Sequence, residues 1–260
     1  MKSKHAVKLI GAAVAALVAI AMMAPLAQAD TPAPGYSQFA GCPSKKEKSY
    51  ISTCVRSVIK SGTFKMGSKE VPIEHPITLS GGADENLENF TATSKGGMPP
   101  VNQKVPGGVI GLTGLTWLLE FLGSEALTLY AATELAGQPT LSSIESFTVP
   151  IKVHLINGVL GNNCYVGSVT SPITLHLNLS GGLEFTTDAL EILHFNNGTY
   201  KDNTFSAPGA SGCVLTLFGF IPISINGLVN SQSGLPAASG KNSTTQVIDT
   251  ELTDVRNVYP

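Results

Sequence analysis

Apolar and polar residues alternate one by one along much of this chain, and the alternation restricts the folds that the chain can form. Successive side chains of a β-strand point to opposite faces, so the pattern places one set in a core and the other toward solvent. Five such segments cover residues 71–79, 127–135, 147–155, 175–179 and 215–225. Prolines inside three of them cannot donate to a β-ladder, which indicates strand edges or bulges. We therefore predict a mainly β protein, an antiparallel β-sandwich or barrel-like fold with one or two short helices.

A very apolar helix is predicted between two of these strands. Four leucines in residues 115–122 repeat at the three- and four-residue spacing of one helix face. Trp117 and Phe121 widen that face, and Gly123 is a typical helix end. We expect the β-sheet to cover the helix and bury Trp117. If the sheet leaves it exposed, Trp117 and Phe121 are candidates for contact with a lipid, an apolar ligand or a partner.

The cysteine residues indicate two disulfide bonds. The chain has four of them, Cys42, Cys54, Cys164 and Cys213. An even number in an exported chain is typical of disulfide pairs, and three pairings are open. We favour Cys42–Cys54 and Cys164–Cys213, because each pair lies in one region of the chain. Zinc binding is the alternative, but no C-x-x-C spacing supports it. Helical spacing of apolar residues in 50–60 predicts a short helix held by the first disulfide.

The first 29 residues have the three parts of a secretory signal peptide. Three lysines form a basic head, an apolar stretch runs from about residue 9 to residue 24, and the small residues Ala27 and Ala29 precede the expected cleavage point. A retained membrane anchor is an alternative, but the apolar stretch is short for a span. A lipoprotein signal ending at Cys42 would lie too far beyond it. We predict a secreted or cell-envelope protein with no transmembrane anchor after the signal is removed.

The remaining chain divides by composition into three parts. We predict an N-terminal disulfide-pinned segment at 30–62, a β domain at 63–228, and a polar loop with a last strand or tail at 229–260. A short echo, in which both 75–82 and 171–182 contain a Pro-Ile-Thr-Leu run and end in Ser-Gly-Gly, allows two related β units at 63–136 and 144–228.

Charge argues against nucleic acid and anionic lipid as partners. Of the 16 Lys and Arg residues, three precede residue 30, whereas none of the 18 Asp and Glu residues does. Cleavage would therefore leave 13 basic and 18 acidic side chains, since 16 less 3 is 13. Binding to phosphates needs clustered cations, which this sequence lacks.

Catalytic motifs are missing, so the histidines are the best candidates for chemistry. No nucleophile elbow, H-E-x-x-H, P-loop or dinucleotide motif occurs. His154, His176 and His194 alternate with apolar neighbours and should face outward, where two imidazoles on neighbouring strands could bind zinc or act as a base. The simpler interpretation is surface histidines. We predict no catalytic residue, no metal site and no cofactor.

An acidic turn follows Gly81-Gly82. Asp84, Asn86 and Glu88 alternate there, as in the start of a calcium loop. The central glycine and the later bidentate glutamate of that loop are missing, which favours a solvated turn.

Four stretches give a resemblance over most of the chain after residue 29. They are Cys42-Pro43 through Cys54, Val71 to Gly82, Val105-Pro106-Gly107-Gly108-Val109-Ile110-Gly111-Leu112 and Asn162-Asn163-Cys164-Tyr165-Val166-Gly167-Ser168. In these the chain resembles a group of uncharacterised secreted proteins of high-GC Gram-positive bacteria, with no assigned activity. The resemblance implies a bacterial, cell-exterior setting and carries over no site residue.

These observations favour an exported non-catalytic protein of the cell exterior with a structural or binding role. One alternative is an extracellular carrier of an apolar ligand, based on the Trp117 helix and the apolar segment at 215–225. Another is a secreted hydrolase whose His and Asp residues meet only in space. An apolar cavity would favour the carrier, and a cleft holding a histidine beside a carboxylate and a hydroxyl would favour the hydrolase.

The predicted signal peptide can be tested directly. Intact-mass analysis of protein collected from the culture medium should give a chain that begins at Asp30, because cleavage follows Ala29. Recovery of the full-length chain from a membrane fraction would contradict the prediction.

Overall fold

The computed structural model describes residues 30–217 and 220–260 of the 260-residue chain. The predicted signal peptide lies outside the described residues. Within the described ranges, no helix has the length and apolar character needed to cross a membrane.

β-strands are the main regular secondary structure of the described chain. The strands are β1 (Thr53–Met66), β2 (Lys69–Ile73), β3 (Ile77–Ala83), β4 (Asn102–Lys104), β5 (Tyr130–Leu135), β6 (Thr140–Ser143), β7 (Ser146–Ile156), β8 (Tyr165–Val166), β9 (Ile173–Gly181), β10 (Glu184–Thr187), β11 (Leu193–Asp202), β12 (Ala210–Ser211), β13 (Val214–Leu217), β14 (Ile221–Ser224) and β15 (Ser243–Asp254). The helices are α1 (Gly108–Thr113), α2 (Leu118–Leu122), α3 (Asn226–Ser233) and α4 (Val255–Val258), with single 3-10 turns at Ser37–Phe39, Glu125–Leu127 and Gly158–Leu160.

Eight antiparallel strand positions curve into a nearly closed barrel, as the predicted fold class allowed. Their order is β4, β5, β7, β9, β11, β15, β1, and then β2 with β3. The last two count as one position, because they pair with successive parts of the same edge of β1. Antiparallel strands in this order place alternate side chains inside the barrel.

A side chain closes the seam between the first and last positions, where no strand pairing joins β4 to β2 or β3 in the described chain. Gln103 of β4 is buried, and its Oε1 accepts hydrogen bonds from the backbone N–H groups of Glu74 (2.9 Å) and His75 (3.0 Å). Its Nε2 donates to the His75 carbonyl at 2.7 Å. The amide of Gln103 thus replaces a β-ladder at the residues that separate β2 from β3.

A bulge in β1 allows both halves of this long strand to place side chains in the barrel interior. Its pairing with β15 skips one residue between Ile59 and Ser61. Because side chains alternate with a period of two, the extra residue moves the inward set from odd to even positions. Ile59 faces the interior before the bulge, and Phe64 and Met66 face it afterwards.

The helix predicted for residues 50–60 is wrong, because β1 occupies most of that segment. Cys54 and Val55 are both buried, although they lie on opposite faces of the strand. Cys54 packs under the N-terminal segment with Phe39, whereas Val55 packs with Leu141. A strand that is covered on both faces loses its alternation and can imitate helical spacing.

The other strand predictions are largely confirmed. Strands β7 and β9 match the predicted segments, and β15 confirms the last strand. The segment 71–79 is divided into β2 and β3, and 215–225 forms the hairpin of β13 and β14 rather than one face. The loop predicted from residue 229 is helical as far as Ser233, because α3 packs Val229 into the core.

Both predicted disulfides are confirmed. Cys42 and Cys54 are joined with a Cα–Cα distance of 5.4 Å, and Cys164 and Cys213 with a distance of 4.1 Å. The first bond fixes the N-terminal segment to the outside of β1. The second joins the residue before β8 to the residue before β13.

The predicted burial of Trp117 is wrong, since 42% of this residue is exposed. The α2 helix takes no part in the strand pairing and is only five residues long. Of its residues, only Leu118 belongs to the buried core. Leu119 and Leu122 are exposed at 44% and 45%, so the leucines do not form one buried stripe. The side chain of Phe121 lies outside the described part of the structure.

The closing role of Gln103 predicts a large effect of one substitution. Gln103→Leu keeps the volume but removes three hydrogen bonds, so the free energy of unfolding should fall by about 3 kcal/mol in urea denaturation. Gln138→Leu is the matched control, because this exposed amide makes one bond of 3.4 Å. Equal stabilities of the two variants would contradict the closing role.

Candidate functional site

A cavity of about 80 Å³ lies inside the barrel. It is bounded by β1 to β5, β7, β9 and β15, together with residue 98 of the β3–β4 connection. Its apolar lining consists of Ile59, Phe64, Met66, Val71, Ile73, Ile77, Leu79, Met98, Ala131, Phe147, Val149, Ile151, Val153, Leu175, Leu177 and Ile248. One water molecule needs only about 10–15 Å³ of such space, so the cavity could hold a larger guest.

Four polar residues complete the lining, and none of the lining residues is charged. They are Ser57, Gln103, Thr133 and Gln246. The Ser57 hydroxyl lies 3.0 Å from the hydroxyl of Thr250, and the Gln103 amide is used in closing the barrel. The interior can therefore accept a neutral apolar guest, whereas an ion would lose its hydration without gaining a charged partner.

Gln246 is a polar residue of this lining with a fully buried, unused group. It is 3% exposed, and its Oε1 has no hydrogen-bond partner among the described residues. Its Nε2 donates to the Thr244 hydroxyl at 3.0 Å, and that hydroxyl donates its own proton to the Thr63 carbonyl at 2.9 Å. Since Thr244 has no second proton to offer, the amide nitrogen must face it. The orphan group is therefore a carbonyl acceptor.

Two smaller cavities adjoin the central one and share side chains with it. A cavity of about 40 Å³ lies toward α1 and α3, and Phe64, Met66 and Val71 line both it and the central cavity. Ser233 lines this smaller cavity, and its buried hydroxyl also lacks a partner among the described residues. A third cavity, of about 20 Å³, lies toward β6. Rotation of the unbranched Met66 side chain would widen or narrow the connection between the central cavity and the cavity of about 40 Å³.

Tyr200 supports the wall near β6. Its buried ring packs on Phe147, with ring centroids 4.9 Å apart, and its hydroxyl donates to the Ile144 carbonyl at 2.6 Å. Burial is the main cause that raises the pKa of Tyr200 to about 12. The phenol therefore stays neutral and hydrogen-bonded across the physiological pH range.

His154 faces outward, as predicted, but it belongs to a cross-strand cluster on the outer barrel surface. Its ring stacks on Tyr165 with centroids 4.2 Å apart, and its Nε2 lies 3.0 Å from the Asn162 carbonyl. Glu134 pairs with Lys152 at 2.9 Å, and this bond is the main cause that raises the Lys152 pKa. Burial is the largest cause of the raised Tyr165 pKa.

The structure does not bring His154 and His176 together. Strand pairing sets His176 opposite Thr148, and its Nδ1 lies 3.2 Å from the Thr148 hydroxyl. His154 lies six residues further along β7, which is roughly 20 Å at the rise of a strand. A shared zinc or base site on these two imidazoles is therefore ruled out by geometry.

His194 lies in a separate ion-pair group. Its Nε2 is 3.1 Å from Asp188 and its Nδ1 is 3.7 Å from Glu251, which also contacts Arg56 at 3.2 Å. The Asp188 pKa is lowered, first by the backbone N–H of Ile192 and also by His194. These partly exposed ion pairs on the barrel surface stabilise it only weakly.

The acidic turn is a capped turn rather than an ion site. Asp84 accepts hydrogen bonds from the backbone of Glu88 and Asn89 and from the Asn89 side chain, which is the largest cause of its lowered pKa. In the described chain, no group of three or more His, Cys, Asp and Glu side chains is arranged to hold a metal ion.

The sequence reasoning missed both glutamines of the interior. Gln246 falls in the predicted last strand, and alternation places it on the same face as the apolar Ile248. A polar residue on the inward face of a strand was the available signal. Gln103 lies in a three-residue strand that is too short for any periodicity to reveal.

Comparison of the chain with protein-family models, with curated proteins and with solved structures finds no match in any of the three.

The buried phenol predicts a specific pH dependence. Tyr200 keeps its proton to a higher pH in the folded than in the unfolded chain, so stability is lost as the pH rises from 10 toward 12. Tyr200→Phe should cost about 1 kcal/mol at pH 8 and remove about 2 kcal/mol of that alkaline loss. Urea unfolding at a series of pH values tests this, with Tyr50→Phe as an exposed control. Parallel curves for the wild type and the Tyr200 variant would contradict it.

Proposed function

We propose that this protein is an exported, non-catalytic binding protein that holds a small neutral apolar molecule inside its barrel. The cavity of about 80 Å³ carries the proposal, because its lining is formed by inward-facing side chains of eight strands and holds no charge. Small antiparallel barrels commonly enclose one ligand in this way.

The size of the cavity supports a ligand rather than ordinary imperfect packing. Protein interiors pack as densely as organic crystals, and their voids are seldom larger than a water molecule. Here Ile73, Val149 and Leu177 are buried and yet border open space. An apolar cavity tends to stay dry and to take up apolar guests.

The groups around the cavity support binding without chemistry. Catalysis by a hydroxyl nucleophile needs a base within hydrogen-bonding distance. Ser57 bonds Thr250, another hydroxyl, and the described lining contains no histidine or carboxylate. His154 and His176 lie on the outer face of the barrel. A binding role therefore accounts for the interior better than a hydrolase does.

Export is part of the proposal and is supported by the cysteine chemistry. All four cysteines are paired, and the free cysteine count in the described chain is zero. Disulfides of this kind persist in oxidising compartments outside the cytoplasm. The N-terminal sequence supports the same setting.

The seam beside Gln103 is the route into the cavity that would disrupt the fewest strand contacts. Every other pair of neighbouring barrel strands is joined by backbone pairing, which bulges interrupt in places, whereas β4 meets the β2–β3 junction through the Gln103 side chain. Met98 of the preceding connection lines the cavity near this place and is flexible enough to move aside. Opening here breaks three hydrogen bonds and no strand pair.

Toluene binding tests the proposal, since a ligand that binds only the folded state raises its stability. Saturating toluene should raise the midpoint of thermal unfolding of the secreted protein, and dissolved xenon should show a bound resonance in 129Xe NMR. Ala131 lines the cavity, so Ala131→Phe should abolish both effects by filling it. Ala189→Phe, at an exposed position, is the matched control and should behave as the wild type.

The wild-type measurements decide the outcome even if the filled variant folds poorly. An unchanged unfolding midpoint in toluene together with the absence of a bound xenon signal would refute binding in the barrel.

A further inference from the structure

We infer that the molecule held in the barrel is a neutral apolar alcohol or phenol whose hydroxyl donates to Oε1 of Gln246. This rests on the proposed function and adds the chemical class of the ligand. The unused carbonyl of a residue that is 3% exposed lies in a lining that is mostly apolar and uncharged, and it is the group that would recognise such a ligand.

The hydrogen bonds around Gln246 fix which group is on offer. Thr244 receives the amide N–H and passes its own proton to the Thr63 carbonyl. A reversed amide would either set two acceptors against each other or break the Thr244–Thr63 hydrogen bond. A ligand must therefore bring a donor, and an acceptor-only molecule such as an ether or a ketone gains nothing from Oε1.

The surroundings exclude a charged donor. The lining holds no carboxylate to neutralise an ammonium group, and burial of an unpaired ion is far more costly than burial of a hydroxyl. The orphan carbonyl itself carries a desolvation cost that a ligand hydroxyl would remove. Both effects favour a neutral donor on an apolar body.

Phenol and toluene form a matched pair of probes, because they share a ring and differ in a hydroxyl against a methyl group. Their dissociation constants for the wild type and for Gln246→Met can be measured by NMR titration of isotope-labelled isoleucine methyl groups. The variant should lower the ratio of phenol affinity to toluene affinity about tenfold, the effect of one buried hydrogen bond. Gln138→Met, at an exposed position, should leave the ratio unchanged.

A measurement on the wild type keeps the inference testable if Gln246→Met folds poorly. With 13C-labelled glutamine, the Cδ resonance of Gln246 should shift on phenol binding and stay nearly fixed on toluene binding. Gln246→Asn, which withdraws the carbonyl by one methylene, should lower the affinity ratio in the same direction as Gln246→Met.

The outcomes separate this inference from the proposed function. An unchanged ratio in both variants, or equal Cδ shifts with the two probes, would overturn the alcohol or phenol assignment, and toluene binding would leave the proposed function standing. That result would mean that Oε1 is satisfied by a water molecule whichever probe is bound. Failure of the wild type to bind either probe would overturn both.

Discussion

The amide of Gln103 is the interaction on which the barrel depends. Strand pairing runs from β4 around the barrel to β2 and β3. The gap between β4 and the β2–β3 junction is spanned by three hydrogen bonds that involve this side chain. The backbone groups of Glu74 and His75 have no ladder partner where β2 ends and β3 begins. A buried amide, with one acceptor and one donor group, satisfies all three at once. Without it the seam would expose the apolar interior to water.

The bulge in β1 explains how both halves of this one strand line the cavity of the closed barrel. The extra residue after Ile59 bends the strand and changes which side chains point inward, so that both halves contribute apolar residues to the interior. β2 and β3 follow the two halves as separate strands. The break between them is where Gln103 inserts, and the shape of β1 and the position of the seam are therefore linked.

The two buried glutamines of the barrel interior have different roles. Both polar atoms of the Gln103 amide are hydrogen-bonded and act structurally, whereas Gln246 has an acceptor without a partner among the described residues. Buried polar groups are nearly always hydrogen-bonded, so an orphan in a cavity wall is best understood through the molecule that would complete it. On the outer surface, Nε2 of His154 and Nε2 of His194 each lie within hydrogen-bonding distance of a protein oxygen.

The sequence by itself determined the fold class, the two disulfides and the strands with one covered face, because period-two alternation and cysteine spacing are local signals. β7, β9 and β15 could be predicted for that reason. The tertiary structure decided the rest. The start of β1 is covered on both faces and so imitated a helix, and α2 is too short to bury Trp117. Gln103 and Gln246 acquire their roles only when strands distant in sequence enclose them. Closure of a barrel and the space inside it depend on contacts between such strands, which local periodicity does not encode.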